Sequence, residues 1–240
     1  MSFNHNEVVS IGGPEILNGV SLIREGESIN SFYGYKLGGV YQTLDEVFTG
    51  PVMENRAADK ASHNPYKNTS PGDMWFVDVD KNGSINDLDR TVIGNANPNF
   101  TFGWNNTVNY KNWDLSMFLT GAFGMDRLNL VRYAMSTSIS DASFINTKEA
   151  YEYNWDVNPE NAKFASLLNG GTNYANSTQW VENASYVRLA NLSLGYTFPK
   201  SKTKFADIRL SVSCQNLFTL LNIKEWIRPL LPLQMILQKV

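Results

Sequence analysis

One cysteine, Cys214, is all that 240 residues contain, so neither a disulfide framework nor a cysteine-built zinc site can be assembled within the chain. Histidine is nearly as scarce: His5 and His63 stand alone and leave little for metal or base chemistry. Basic residues are not in excess, with 20 Lys and Arg against 23 Asp and Glu for a net charge of −3. No pole of basic side chains interleaved with aromatics exists to hold phosphate backbones, which excludes nucleic acid as a partner. No run reaches the roughly 18 to 20 uncharged apolar residues of a transmembrane helix. The start, Met1-Ser-Phe-Asn-His-Asn, lacks the charged and apolar regions of a secretory signal. Gly-x-Ser-x-Gly, phosphate-binding, His-Glu-x-x-His and Cys-x-x-Cys motifs are missing too, so no nucleophile or base supports an enzyme.

What is present is aromatic and amide, with 13 Phe, 11 Tyr, 6 Trp and Asn in almost every segment. It is also periodic. Phe100, Phe102, Trp104, Val108 and Tyr110 hold one parity, and Thr101, Gly103, Asn105, Thr107 and Asn109 the other, the two-residue repeat of a strand. After Lys111-Asn112 the parity restarts: Trp113, Leu115, Met117, Leu119 and Phe123 against Asp114, Ser116 and Thr120, with Phe118 the exception. A tight hairpin is predicted. A second one sets Ala190, Leu192, Leu194, Tyr196 and Phe198, then Ile208, Leu210, Val212 and Cys214, against Asn191, Ser193, Gly195 and Thr197, then Arg209, Ser211, Ser213 and Gln215. A fifth strand, less clean because of its glycines, is expected to cover Ser31 to Gln42.

Any antiparallel sheet with one wet face alternates in this way. Three features point instead to a membrane barrel. The strands are about ten residues long, beyond the usual five or six. Aromatics such as Tyr110, Trp113, Tyr196 and Phe198 sit beside the tight turns, as interfacial girdles do. Short turns alternate with long connections, 42–98 and 124–184, as periplasmic turns alternate with external loops. The expected fold is therefore all-β: part of an antiparallel, up-and-down transmembrane β-barrel with its polar parity toward the lumen.

In order and spacing, Ser31-Phe-Tyr-Gly-Tyr-Lys, Pro71-Gly-Asp, the stretch from Asp78 to Arg90, Ile93 to Gly103, Ser185 to Pro199 and Gln215-Asn-Leu-Phe-Thr219 resemble successive blocks of TonB-linked (TonB-dependent) outer-membrane nutrient receptors of the SusC/RagA type. The resemblance implies a barrel of about 22 strands closed around a plug. It further implies a SusD-like surface lipoprotein as lid, energy delivered through TonB, an oligosaccharide or peptide as ligand, and outer-membrane lipid around the wall. A complete member is several times longer. On this reading residues 1–219 are a C-terminal barrel portion that does not transport alone, and it is not an enzyme.

Residues 220–240 depart from the pattern: alternation ceases, and Pro229 and Pro232 bar a helix. If Asn222 to Arg228 are encoded AAT-ATA-AAG-GAA-TGG-ATC-CGN, reading two bases later yields Tyr-Lys-Gly-Met-Asp-Pro, similar to the family's continuation. A frameshift near residues 220 to 222 is the expectation. Sequencing the encoding DNA tests it, since a codon set that cannot yield the alternate reading removes the idea.

One constellation carries definite chemistry. Asp78, Asp80, Asn82, Gly83, Ser84, Asn86 and Asp89 fall at positions 1, 3, 5, 6, 7, 9 and 12 of a calcium loop, with Ile85 at position 8 as inward anchor. Calcium takes six to eight hard oxygens around a tight turn, which Gly83 permits. Asp89 stands where a bidentate Glu is usual, and an ion-free Asx turn is the alternative. Trp75, Trp155 and Trp180, in the long connections, offer flat rings for stacking on a sugar, although packing is a commoner use of Trp. The competing assignment for the whole chain is a soluble, calcium-dependent, carbohydrate-binding β-sandwich. It would bury its apolar parity against a second sheet, whereas barrel strands present theirs outward.

Overall fold

A computed structural model of the chain describes residues 1–53, 69–137, 147–166, 175–204, 206–221 and 233–239. It divides into a sheet unit, Met1–Asn6, Asn97–Asp126 and Asn183–Val240, and a loop unit, Glu7–Ala96 and Arg127–Glu182. Among the described residues no helix is long and apolar enough to cross a membrane.

The sheet unit is one antiparallel, six-stranded ladder in the order β1 (Ser2–Phe3), β2 (Phe100–Tyr110), β3 (Trp113–Phe123), β4 (Tyr186–Phe198), β5 (Ile208–Leu221) and β6 (Leu233–Lys239). Strands β2 and β3 pair along their whole length from Phe100↔Phe123 to Tyr110↔Trp113. The turn between them puts Lys111 at a φ of 53°, a left-handed conformation with a steric cost for any residue but glycine. Alternation carries across the ladder. Val108, Leu115, Leu194 and Val212 form one apolar row and Trp113, Tyr196 and Leu210 another, while Thr107, Ser116, Ser193 and Ser213 form a polar one.

Two expectations need correcting here. In β4 an extra residue at Ala190 shifts the register, so Leu189 rather than Ala190 lies opposite Leu119. Such a bulge inverts side-chain parity beyond it. The expected fifth strand over Ser31 to Gln42 is not part of this ladder either. Its residues form two short strands of the loop unit, Ser31–Gly34 and Leu37–Val40. Gly34, Gly38 and Gly39 interrupt an extended run there, and a Cβ on Gly38 would lie 2.0 Å from the Trp75 ring. At the other end, β5 continues through Leu221, and Leu233–Lys239 pairs with Ile208–Cys214.

The apolar side of this ladder is open. Trp104, Val108, Leu194 and Leu220 are 47%, 52%, 46% and 65% exposed, and Leu115, Phe123 and Phe198 join them. The unit's buried cluster comprises Ala122, Met125 and Ala184 with Tyr186 against them. Among the described residues the sheet unit itself holds no second multi-stranded sheet with which to form a sandwich.

The loop unit reverses this. Ile16–Asn18, Ser21–Ile23, Ser31–Gly34 and Thr91–Gly94 form a small antiparallel sheet, Leu37–Val40 pairs with Met74–Phe76, and Val52–Met53 pairs in parallel with Ser84–Ile85. These short strands and the helices Leu130–Thr137 and Lys148–Glu152 surround a core of Tyr35, Val40, Met74, Phe76, Ile85, Phe164 and Trp180. Burying each large member contributes about 1.5 to 3 kcal/mol.

Candidate functional site: the 78–89 loop and the polar sheet face

Of the predicted ion ligands, Asp78, Asp80 and Asp89 converge, each with a carboxylate oxygen within 4.8 Å of the others. The local sequence explains how. Gly83 takes a φ of 84° and Lys81 one of 60°, turning the chain so that its amides point inward. Asp78 accepts from the N–H groups of Asn82 (3.2 Å) and Gly83 (2.7 Å), and Asp80 accepts from Asn82 N–H at 3.1 Å. Asp89, fully buried, accepts from Val79 N–H and Asn86 N–H, both at 2.8 Å. Desolvation pushes the Asp78 carboxyl up, but hydrogen bonds from Gly83, Lys81, Asp80 and Asn82 outweigh it and hold the group below its ordinary value.

The other predicted ligands are already engaged. The Asn82 side chain donates to Asp80 (2.9 Å) and accepts from Ser84 N–H (2.7 Å). Asn86 caps the short 3-10 turn Asp87–Asp89 through Leu88 N–H, in a reciprocal capping box with Asp89. Ile85 is buried in the core as the anchor of position 8 requires, which fastens the turn to the loop unit.

The three tryptophans do not form one binding surface. Trp180 is 1% exposed, with Tyr133 edge-on at 5.2 Å and the Arg132 guanidinium 5.6 Å from its ring centre. No face is left for a sugar, which corrects the stacking expectation at this position. Trp155 donates from Nε1 to Gln42 Oε1 at 3.1 Å and packs on Gly72, while Trp75 lies over Gly38 and Gly39 near Tyr41. Both are partly exposed.

Two clusters escaped the sequence reading. Arg132 pairs with Glu149 at 3.1 Å and Glu182 at 3.7 Å and donates to the Gln179 carbonyl at 2.7 Å, tying three segments of the loop unit together. On the polar sheet face, Arg209 grips Asp114 bidentately at 3.1 and 2.6 Å although β4 lies between their strands. Gly195 makes that reach feasible, because a Cβ there would fall 2.4 Å from the Asp114 carboxylate. Opposite charges on the polar parity of β3 and β5 were the available signal; the strand order was the missing one.

No protein-family profile matches the chain. It is 37% identical over 203 residues to the TonB-dependent receptor P3 of Formosa agariphila, covering 82% of this chain and 18% of that receptor. The TonB-dependent receptor P39 of the same organism is 29% identical over 254 residues, covering 92% and 24%. The TonB-dependent receptor SusC of Bacteroides thetaiotaomicron is 26% identical over 213 residues, covering 82% and 18%. The chain thus spans about a fifth of the length of the curated relatives it matches. In fold it matches the RagAB peptide importer in its open-open state with a TM-score of 0.64 at 20% identity, over 91% of this chain and 22% of that one. A RagAB peptide transporter structure gives 0.63 at 19% identity, over 88% and 21%.

Proposed function

Over most of its length this chain is a match to TonB-dependent receptors of the SusC/RagA type, and on that premise we propose that it supplies wall strands and external loops to an outer-membrane importer of oligosaccharides or peptides. The apolar parity meets acyl chains, the polar parity lines the lumen, a SusD-like lipoprotein covers the outside and TonB supplies energy. The observation that carries this is the unpacked, single-layer ladder whose Trp104, Val108, Leu194 and Leu220 stay exposed. In water such a face is a liability; in hydrocarbon it is the favourable one. The polar rows of Thr, Ser and Asn keep water partners that lipid does not supply. The ligand assignment rests on the relatives, SusC and the RagAB peptide importer, and transport requires more strands than this ladder contains.

The test is alternation. Single cysteines at Thr107, Val108, Ser193 and Leu194 in a Cys214→Ser background, with the chain in outer membranes, are treated with a membrane-impermeant maleimide. Thr107 and Ser193 positions label and Val108 and Leu194 positions do not. Equal labelling of the two parities would defeat the proposal.

We further propose a structural calcium ion in the 78–89 loop, held by Asp78, Asp80 and Asp89 with help from Asn82, Ser84 and Asn86. The three converging carboxylates support it. The ion would neutralise their mutual repulsion and order the turn, with the weak affinity typical of extracellular modules. Isothermal titration that detects no calcium-dependent heat would remove this site.

A further inference from the structure

At the tight-turn end of the sheet unit, the apolar side of the ladder is dished. Trp113, Leu194, Tyr196, Phe198, Leu210 and Val212 line an open groove of about 400 Å³. Its wall is a fixed aromatic step: Trp113 and Tyr196 lie 4.7 Å apart between ring centres, and Tyr196 and Phe198 lie 4.7 Å apart edge to face. A volume of this size accommodates a stretch of hydrocarbon chain rather than a single side chain. At the rim the chemistry changes sign. Lys200, Lys202 and Lys204 sit exposed on the connection that follows Phe198, Lys202 reaches Tyr196, and Lys111 lies over Tyr110 on the adjoining turn. Asp207 is the one acidic residue in that connection and is held by the Lys200 amide at 2.6 Å.

An apolar trough adjoined by a turn with three exposed lysines, one of them in contact with the Tyr196 of its lining, has the two-part chemistry of a lipid with an anionic head. We propose that the groove and the lysine turn together form a seat for an anionic glycerophospholipid, one acyl chain lying against Trp113 and Tyr196 and the phosphate held by Lys200, Lys202 and Lys204. The inference rests on the membrane reading above and goes beyond it, since a wall that merely meets lipid has no preference among head groups. Short turns mark the periplasmic side of such barrels, so the seat belongs to the leaflet on that side. Juxtamembrane lysines are each worth about a fivefold preference for an anionic surface.

Trp113 reports on this directly. The full chain is reconstituted in phosphatidylcholine vesicles that contain, at equal mole fraction, either brominated phosphatidylcholine or brominated phosphatidylglycerol. Quenching lost in a Trp113→Phe variant is assigned to Trp113. The expected result is at least about fivefold stronger quenching by the anionic lipid, the preference that a single one of the three lysines confers. The Lys200→Gln/Lys202→Gln/Lys204→Gln variant, altered only in an exposed turn, brings the two lipids level and leaves quenching by brominated phosphatidylcholine unchanged. Equal quenching of the unmodified chain by both lipids overturns the seat while leaving the membrane reading intact. Absence of quenching by either overturns the membrane reading and the seat with it. A preference that persists in the triple variant also overturns the proposal, because the lysines would not be its cause.

Discussion

The sheet unit has the longest strands in the chain, 11 to 14 residues from β2 to β5, and one small buried cluster. The loop unit has strands of two to four residues and a core in which Phe76, Phe164 and Trp180 are 1%, 0% and 1% exposed. Regular secondary structure and burial are therefore decoupled in this molecule. Hydrogen-bond ladders hold the first unit and leave apolar side chains such as Trp104, Val108 and Leu194 exposed along one side. Side-chain packing and buried ion pairs hold the second. A soluble domain ordinarily combines both in one core, and their separation is what a membrane wall with external loops requires.

The largest effect that could break this comparison comes from matched tryptophans. Trp180→Ala in the loop unit is expected to cost about 3 to 5 kcal/mol, whereas Trp104→Ala on the open sheet face costs under about 1 kcal/mol in aqueous denaturation. Equal losses in urea titrations would mean that the sheet face is covered after all. Next comes Arg132→Met, which removes the guanidinium that pairs with Glu149 and Glu182 and is expected to cost about 3 kcal/mol, read from the same titrations.

Calcium sharpens the contrast on a smaller scale. If the proposed ion binds, ten times its dissociation constant is expected to add about 1.4 kcal/mol to the loop unit, and Asp89→Asn to abolish that increment. Limited proteolysis with and without chelator gives the readout; a chelator-independent cleavage rate in 69–96 would count against it. The Asp78 carboxyl is held low, so its contribution is present above the ordinary value of 3.8 and lost as pH falls through the lower folded value.

The smallest effect is alkaline. Burial, with Asp73 and Glu46 nearby, pushes the Tyr41 phenol up to about 12 from 10.0, and its hydroxyl donates to the Pro51 carbonyl at 2.6 Å. A raised folded value means that stability is complete below pH 10 and declines as pH climbs toward 12. Tyr41→Phe removes that decline and costs about 1 kcal/mol at neutral pH. A decline that persists in the variant assigns it to another group.

The hairpins were legible because alternation needs no tertiary information: the sequence alone places Phe100 to Tyr110 and Trp113 to Phe123, and the structure pairs those residues end to end. What was illegible depends on neighbours. Ala190 reads as an apolar position until β3 and β5 flank it and one residue proves to be extra. Ser31 to Gln42 reads as a strand made less clean by its glycines, and what those glycines accommodate becomes visible only where Trp75 presses on Gly38 and Gly39. The acidic spacing of the 78–89 loop announced the convergence of Asp78, Asp80 and Asp89. The burial of Trp180 was hidden because its partners, Tyr133 and Phe164, are distant in sequence.

The extra residue at Ala190 has a consequence for shape. It places one more residue in β4 than in β3 over the stretch where the two strands pair, and an insertion of that kind bends its strand and increases the local twist. A flat ribbon cannot meet its own far edge; a strand that bends midway starts the curl by which staves incline and a tube can close.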